Sequence, residues 1–249
     1  NRRHGPASDQ VEVGKSRETV LKRMKGIMAD SESELTLSIP IGRLSDVADE
    51  LQAAVDRGVL VTLLITETDE PPEDCCGVAS ITRIWGEPMP AMVTADDRVG
   101  LVAPAEMLTS THSDTQAIVF SHPQLGPVIV GSFFGNYWPV GTEVAVSEPA
   151  SLPLTETNFR IAVVEATLWC RTETPLAARI EGRWTETNEP VDLECRIVGV
   201  TQGLIEPANS QFPIEASLTI DTDGETYTVG GEGAFIEDIE AERVTLNKA

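Results

Sequence analysis

The 249 residues carry 40 acidic and 18 basic side chains, a formal charge of −22, and 41% of them are hydrophobic. That hydrophobic share suits one large or two modest folded cores and excludes an intrinsically disordered chain. No apolar run reaches bilayer length, which excludes a membrane-crossing helix, and so acidic a segment should not by itself grip a phosphate backbone.

Lysine is confined to Lys15, Lys22, Lys25 and Lys248. Dispersed acids in such excess repel one another in dilute buffer, whereas concentrated salt screens them. The composition therefore reads as adaptation to a salty cytoplasm. A cation store or a nucleic-acid mimic is the competing reading. Cys75, Cys76, Cys170 and Cys195 fit no zinc spacing, so reduced thiols are expected, with Cys170 and Cys195 as small core side chains. The chain opens on Asn1 rather than methionine, and a preceding segment is expected.

Residues 1–11 are polar and unpatterned, a leader or linker. Ser16 should cap a helix whose apolar stripe is Val20, Leu21, Met24, Ile27 and Met28. Leu35, Leu37 and Ile39 alternate with polar residues in a strand that Pro40 ends. A second helix is expected from about Leu44 to Arg57, stopped by Gly58. The apolar run Val59–Ile65 then reads as a buried parallel strand, and the succession argues for an α/β sheet with crossover connections.

A strand is expected over Ile81–Trp85, and a hairpin with strands at Ala91–Ala95 and Val99–Ala103 around Asp96-Asp97-Arg98. Gln116–Phe120 reads as another buried strand, after which His122-Pro123 opens a helix reaching Trp138. A boundary falls near 150, giving an α/β unit over 12–150 and a second unit over 151–249. The second unit begins with a helix over Thr155–Cys170, with Phe159, Ala162, Val163, Ala166 and Trp169 or Cys170 inward. Short strands follow at Ile180–Trp184, Leu193–Val200, Ile214–Ile220, Thr226–Val229 and Arg243–Leu246. They predict an all-β barrel or sandwich.

A search for catalytic chemistry finds little. His4, His112 and His122 have no metal-ligand spacing, no nucleophile elbow accompanies His112, and neither a P-loop nor a dinucleotide fingerprint is present. No cofactor or metal is expected. What remains is a binding constellation at 230–238, Gly-Gly-Glu-Gly-Ala-Phe-Ile-Glu-Asp. Glycine lets backbone approach a ligand, and a carboxylate can accept hydrogen bonds from neighbouring hydroxyls. Tyr137, Trp138 and Phe235 could cover the C–H face of a sugar. A hairpin turn carrying surface acids explains the same residues without any ligand.

The segments Gly131-Ser-Phe-Phe-Gly-Asn-Tyr-Trp-Pro139 and Val229–Leu246, together with Asp56-Arg-Gly-Val59 and the Asp96-Asp-Arg98 hairpin, resemble the TrmB family of sugar-responsive transcriptional regulators, particularly its members from salt-loving archaea. The resemblance spans about residues 12–247. It implies a catalytically degenerate phospholipase-D-like α/β subdomain followed by a small β subdomain, with a sugar or related metabolite bound between them. It further implies a winged-helix DNA-binding domain upstream of these residues and a homodimer in the full-length protein. By position, Gly231, Glu232, Phe235, Ile236 and Glu237 would meet the sugar. Glu237 would accept hydrogen bonds from its hydroxyls, while Phe235 and Ile236 pack on the ring. Asn209, Asn136 and Tyr137 are further candidates. Glu232 departs from the apolar residue usual in that family. The His-x-Lys pair of catalytic phospholipase D folds is missing, Val93-Thr94-Ala95 occupying the comparable strand. The alternatives are a protein-interaction module and a phospholipase-D-like phosphodiesterase.

Overall fold

The computed structural model describes residues 10–14, 16–73, 75, 77–110, 115–122, 124–210, 212 and 214–249. His4, Cys76, His112 and Pro123 lie outside the described residues. The chain divides into two units, residues 1–147 and 148–249.

The first unit opens with β1 (Gln10–Gly14), which begins two residues ahead of the expected start of the α/β unit at 12. In α1 (Arg17–Asp30) the Ser16 hydroxyl accepts the Thr19 N–H at 3.3 Å, satisfying one of the helix's orphan donors. Its buried stripe is Val20, Met24, Ile27 and Met28. β2 (Glu34–Pro40) is buried from Leu35 onward on both faces, because it lies inside the sheet rather than on a half-wet edge. Of the polar residues that alternate along it, Thr36 is accommodated by pairing, its buried hydroxyl bonding that of Thr62 at 3.0 Å, whereas the buried Ser38 hydroxyl has no partner.

The helix expected over Leu44–Arg57 is two helices, α2 (Ile41–Leu44) and α3 (Ala48–Asp56). Asp46 and Val47 donate to the carbonyls of Arg43 and Leu44 in tight turns between them. The side chain of Arg43 is drawn to the Leu108 carbonyl and to Asp46. Gly58, at φ +83°, ends α3 in the left-handed conformation. β3 (Leu60–Thr66) is buried throughout and pairs parallel with β2, Glu34 opposite Leu60 and Pro40 opposite Thr66.

β4 (Ile81–Trp85), β5 (Ala91–Ala95) and β6 (Val99–Ala103) follow. Asp96 and Asp97 both take φ +52° in the hairpin turn, the conformation a mirror-image turn demands. The Asp96 carboxylate also accepts the N–H groups of Glu32, Ser33 and Glu34 at 3.0, 2.7 and 3.0 Å, fixing the entry to β2. After α4 (Ala105–Thr109) and β7 (Ala117–Ser121), the helix expected to reach Trp138 changes pitch twice. It is α-helical in α5 (Leu125–Ser132), a π turn over Phe133–Tyr137 and a 3₁₀ turn over Trp138–Val140. β8 (Thr142–Val146) completes a sheet of order β1-β7-β6-β5-β2-β3-β4-β8, with β2, β3 and β4 parallel. Its core joins Met24, Leu37, Leu51, Leu63, Val93 and Leu101.

In the second unit Thr155 belongs to β9 (Leu154–Glu156), which pairs with the last strand. The helix therefore starts later than expected, as α6 (Phe159–Arg171). Asn158 caps it by accepting the Arg160 and Ile161 N–H groups. Cys170 is exposed, against expectation, while Cys195 is buried. The half-buried Trp169 takes the inward place and donates its indole N–H to the Ala150 carbonyl at 3.1 Å. The strands are β10 (Leu176–Trp184), β11 (Pro190–Gln202), β12 (Ala216–Thr222), β13 (Glu225–Gly230) and β14 (Ile239–Lys248). Antiparallel pairing runs β10-β11-β12-β13, and β14 pairs antiparallel with β10 along nearly its whole length. β13 meets β14 in parallel over two residue pairs, Val229 with Ile239 and Gly230 with Glu240, leaving a partly open barrel. Ala162, Val163 and Ala166 of α6 join Ile180, Leu218, Ile220, Val244 and Leu246 in its core.

Candidate ligand-binding site

The glycine-rich stretch is the connection between β13 and β14, and its ends are tied down. The Asp238 carboxylate accepts the Thr228 N–H and hydroxyl at 2.7 and 2.9 Å, and the Asp238 N–H donates back to that hydroxyl at 3.1 Å. From β10 outward, the Thr185 hydroxyl donates to the Glu237 carbonyl at 2.6 Å and its N–H to the Asp238 carbonyl at 3.0 Å. Midway along the loop the Gly233 N–H donates to Glu240 at 2.8 Å, and the other Glu240 oxygen takes the Arg183 guanidinium at 2.8 Å. Arg183, and then the Gly233 N–H, hold the Glu240 carboxyl below the usual carboxylate range.

The glycines have separate reasons. Gly233 takes φ +82°. A Cβ on Gly231 would stand 2.8 Å from that of Phe159, so its bareness serves packing against α6. A Cβ on Gly230 would stand 2.9 Å from the Glu237 carboxylate, which lies against that backbone. Glu232 is exposed and Glu237 half-buried. Phe235 and Ile236 are 83% and 80% exposed on a loop so firmly anchored. Two adjacent large apolar side chains are thus held out in water on a braced loop.

Asn209 stands on the loop between β11 and β12. That loop enters the start of β12, and the glycine loop leaves the end of its antiparallel partner β13, so both emerge at one end of that strand pair. The Asn209 amide is already engaged. Its oxygen accepts the Gln202 N–H at 2.9 Å and its nitrogen donates to the Val200 carbonyl at 2.6 Å, fastening the neck of its loop. Asn136 and Tyr137 belong to the first unit. The Asn136 amide donates to the Ser132 carbonyl one turn back, at 3.0 Å. Tyr137 is half-buried. Trp138 is fully buried, packed by Phe133 and Phe134 with centroids 5.9 and 5.8 Å away and capped by Arg83 at 5.0 Å. It cannot cover a sugar, contrary to expectation. Thr185, Thr228 and Glu240 escaped the sequence reading, because in a chain with 40 acids one glutamate carries no signal. Among the described residues, no group of three or more His, Cys, Asp or Glu side chains is placed to hold a metal, and no helix is long and apolar enough to cross a membrane.

The chain is thus a mixed α/β unit followed by a β unit that carries a braced, partly apolar loop. Residues 10–145 match the N-terminal subdomain of the effector-binding domain of the transcriptional regulator TrmB, and residues 151–249 match the C-terminal subdomain of TrmB and TrmBL1. The chain belongs to the TrmB family of transcriptional regulators, whose effector-binding domain these residues form. Among solved structures it is similar to TrmBL2, an archaeal chromatin protein with a novel mode of DNA binding, at 16% identity and a TM-score of 0.46 over 55% of each chain. It thus spans about half the length of TrmBL2. It is also similar to Nuc, a phospholipase D family member from Salmonella typhimurium, at 14% identity and a TM-score of 0.43 over 55% of this chain and 99% of that one. NucT from Helicobacter pylori is similar at 8% identity and a TM-score of 0.41, over 55% of this chain and all of the other. No curated protein matches the sequence.

Proposed function

We propose that this domain senses a sugar or related small metabolite and is not an enzyme. The ligand is held by the β13–β14 loop, with Phe235 and Ile236 against the ring's C–H face and Glu237 accepting hydrogen bonds from its hydroxyls. Gly231 and Glu232 flank them, and Asn209 braces the neighbouring loop. Occupancy biases DNA binding by a winged-helix domain outside these residues, in a cytoplasmic homodimer. The observation that carries this reading is the exposure of Phe235 and Ile236 on a loop whose base is braced by Thr185, Thr228 and Glu240. A preformed apolar platform beside a carboxylate suits a molecule with one C–H face and a fringe of hydroxyls, and a preordered loop lowers the entropic cost of binding. Such a ligand alters a regulator only by favouring one of its states over another. The non-enzymatic reading is supported by the sequence, which has no His-x-Lys pair; Val93-Thr94-Ala95, on the strand that the resemblance compares, lie buried in β5.

The test is a thermal-melt screen in concentrated KCl with neutral sugars, sugar phosphates and glycolytic intermediates, on the wild type and on Glu237→Ala. A ligand that binds only the folded state raises the melting point by mass action. One sugar class should raise it, with the rise lost in the variant. An intact fold with no shift across the panel refutes the sensor reading and favours a protein-docking module. Phosphodiester turnover would refute the non-enzymatic part.

A further inference from the structure

The first unit holds a cleft that the sugar reading does not use. It is ≈ 170 Å³ and lined by Pro90, Met92, Val102, Ile129, Ser132, Phe133 and Tyr137. None of these is charged, in a chain of net charge −22, and only Ser132 and Tyr137 are of polar side-chain type. The wall comes from the β5–β6 hairpin and from the point where α5 widens into the π turn. Trp138 donates its backbone N–H back five residues to the Phe133 carbonyl, and the Phe133 and Tyr137 rings lie with centroids 6.4 Å apart and planes tilted by 32°. That widening is braced from the core. The guanidinium of Arg83, itself buried, donates to the carbonyls of Trp138 and Gly141, each at 3.2 Å, and lies 5.0 Å from the Trp138 ring centroid. A π turn is rare, and where it is kept it tends to shape a functional site. Here the extra residue and a desolvated arginine together aim two aromatic rings at one neutral cleft.

We infer that this cleft binds a small uncharged molecule, aromatic or alkyl in body, with one hydrogen-bonding group directed to the Tyr137 hydroxyl. Size and lining set the class. An enclosed apolar cavity of about 150 Å³ takes up benzene, so this volume suits a ring of that order with one substituent. Neutral walls give an ionised carboxylate or phosphate nothing to replace its water, which excludes anions. Met92 supplies an adaptable thioether against the ring. The site does not depend on the β13–β14 loop or on sugar binding.

The probe is 4-fluorophenol, followed by ¹⁹F NMR, with 4-fluorotoluene as the analogue lacking a hydroxyl and 4-fluorobenzoate as the charged one. The first two should titrate saturably and the benzoate should not. In ¹³C-methyl methionine spectra the Met92 signal should move, while those of Met24 and Met28, buried in the main core, should stay still. Tyr137→Phe should weaken 4-fluorophenol about fivefold, the worth of one neutral hydrogen bond, and leave 4-fluorotoluene unchanged. Ser132→Phe, which fills the cleft from its rim, should abolish both titrations. No saturable titration by either neutral probe on the wild type overturns the proposal. So does a titration that shifts Met24 and Met28 as much as Met92, or one that a folded Ser132→Phe variant leaves intact. A Ser132→Phe variant that does not fold leaves the methionine shifts on the wild type to decide.

Discussion

Gly126 and Gly131 sit five residues apart in α5, and alanine should act on them in opposite directions. Alanine favours a helix interior over glycine by at most about 1 kcal/mol, and that is the whole expected effect at Gly131, where a Cβ would meet nothing within 4 Å. At Gly126 a Cβ would stand 1.9 Å from the Asp97 carbonyl oxygen, 2.4 Å from its carbon and 2.9 Å from the Arg98 nitrogen. All three atoms are backbone of the β5–β6 turn, and Asp97 is already held at φ +52°, so they cannot swing aside as a side chain would. Overpacking costs about 1–3 kcal/mol in ordinary cores, and a clash with fixed backbone belongs at the upper end. Subtracting the helix gain, which is smaller near a helix start, leaves about 2 kcal/mol of net loss. For a unit of this size, about 2–4 °C of melting temperature per kcal/mol gives a fall of about 4–8 °C. Thermal denaturation by circular dichroism in concentrated KCl should show Gly126→Ala melting well below the wild type and Gly131→Ala level with it or slightly above. If Gly126→Ala melts within about 1 °C of the wild type, the close approach of α5 to the hairpin, and the steric reasoning built on it, are wrong.

Burial raises the carboxyl pKa of Glu165, a donated Ala150 N–H only partly opposing it; burial and then the Glu165 charge raise that of Glu156. Both acids therefore bind protons more readily folded than unfolded, so their contribution to stability grows as pH falls through the folded values towards the ordinary carboxylate range. At constant ionic strength Glu165→Gln should raise the melting temperature at pH 8 and flatten its rise between pH 8 and 5; an unchanged slope would contradict this. Gly182→Ala places a Cβ 2.1 Å from the Glu240 carbonyl at the β10–β14 bulge, and should cost about 2 kcal/mol or more, read as a lower denaturant midpoint at an unchanged slope. Asp238→Ala removes the clasp on Thr228 and should speed amide exchange across residues 231–238 at least tenfold while the β10–β12 amides hold their protection, an outcome readable by mass spectrometry.

Where local chemistry decided the outcome, the sequence was legible. The Ser16 cap, the glycine stop at 58, the paired aspartates of the hairpin and the continuous apolar run of β3 each carry their own physical instruction. It was ambiguous where two arrangements satisfy the same pattern. Leu44, Val47, Ala48 and Leu51 fit one long helix as well as the two short ones, and the choice fell to Arg43 reaching a distant carbonyl at Leu108. Thr155 and Glu156 read as the start of a helix until β14 offers them a strand partner. Trp138 looked like a ligand platform because an aromatic ring advertises nothing about its depth, and a buried arginine settled that. The candidate loop was found by its glycines and its resemblance. The groups that make it rigid, Thr185, Thr228 and Glu240, become visible only once β10, β13 and β14 lie side by side.

The parallel contact between β13 and β14 makes the loop more than a place for a ligand to land. Parallel neighbours ordinarily need a connection of a dozen residues or more. Here residues 231–238 make the crossing, and the two strands touch through only two residue pairs. The loop thus ties the two strands together across a seam. Its length is set by the span it must cross, so an inserted residue would pull Val229 and Ile239 out of step and open the side of the barrel, whereas the β11–β12 loop has no seam to keep shut.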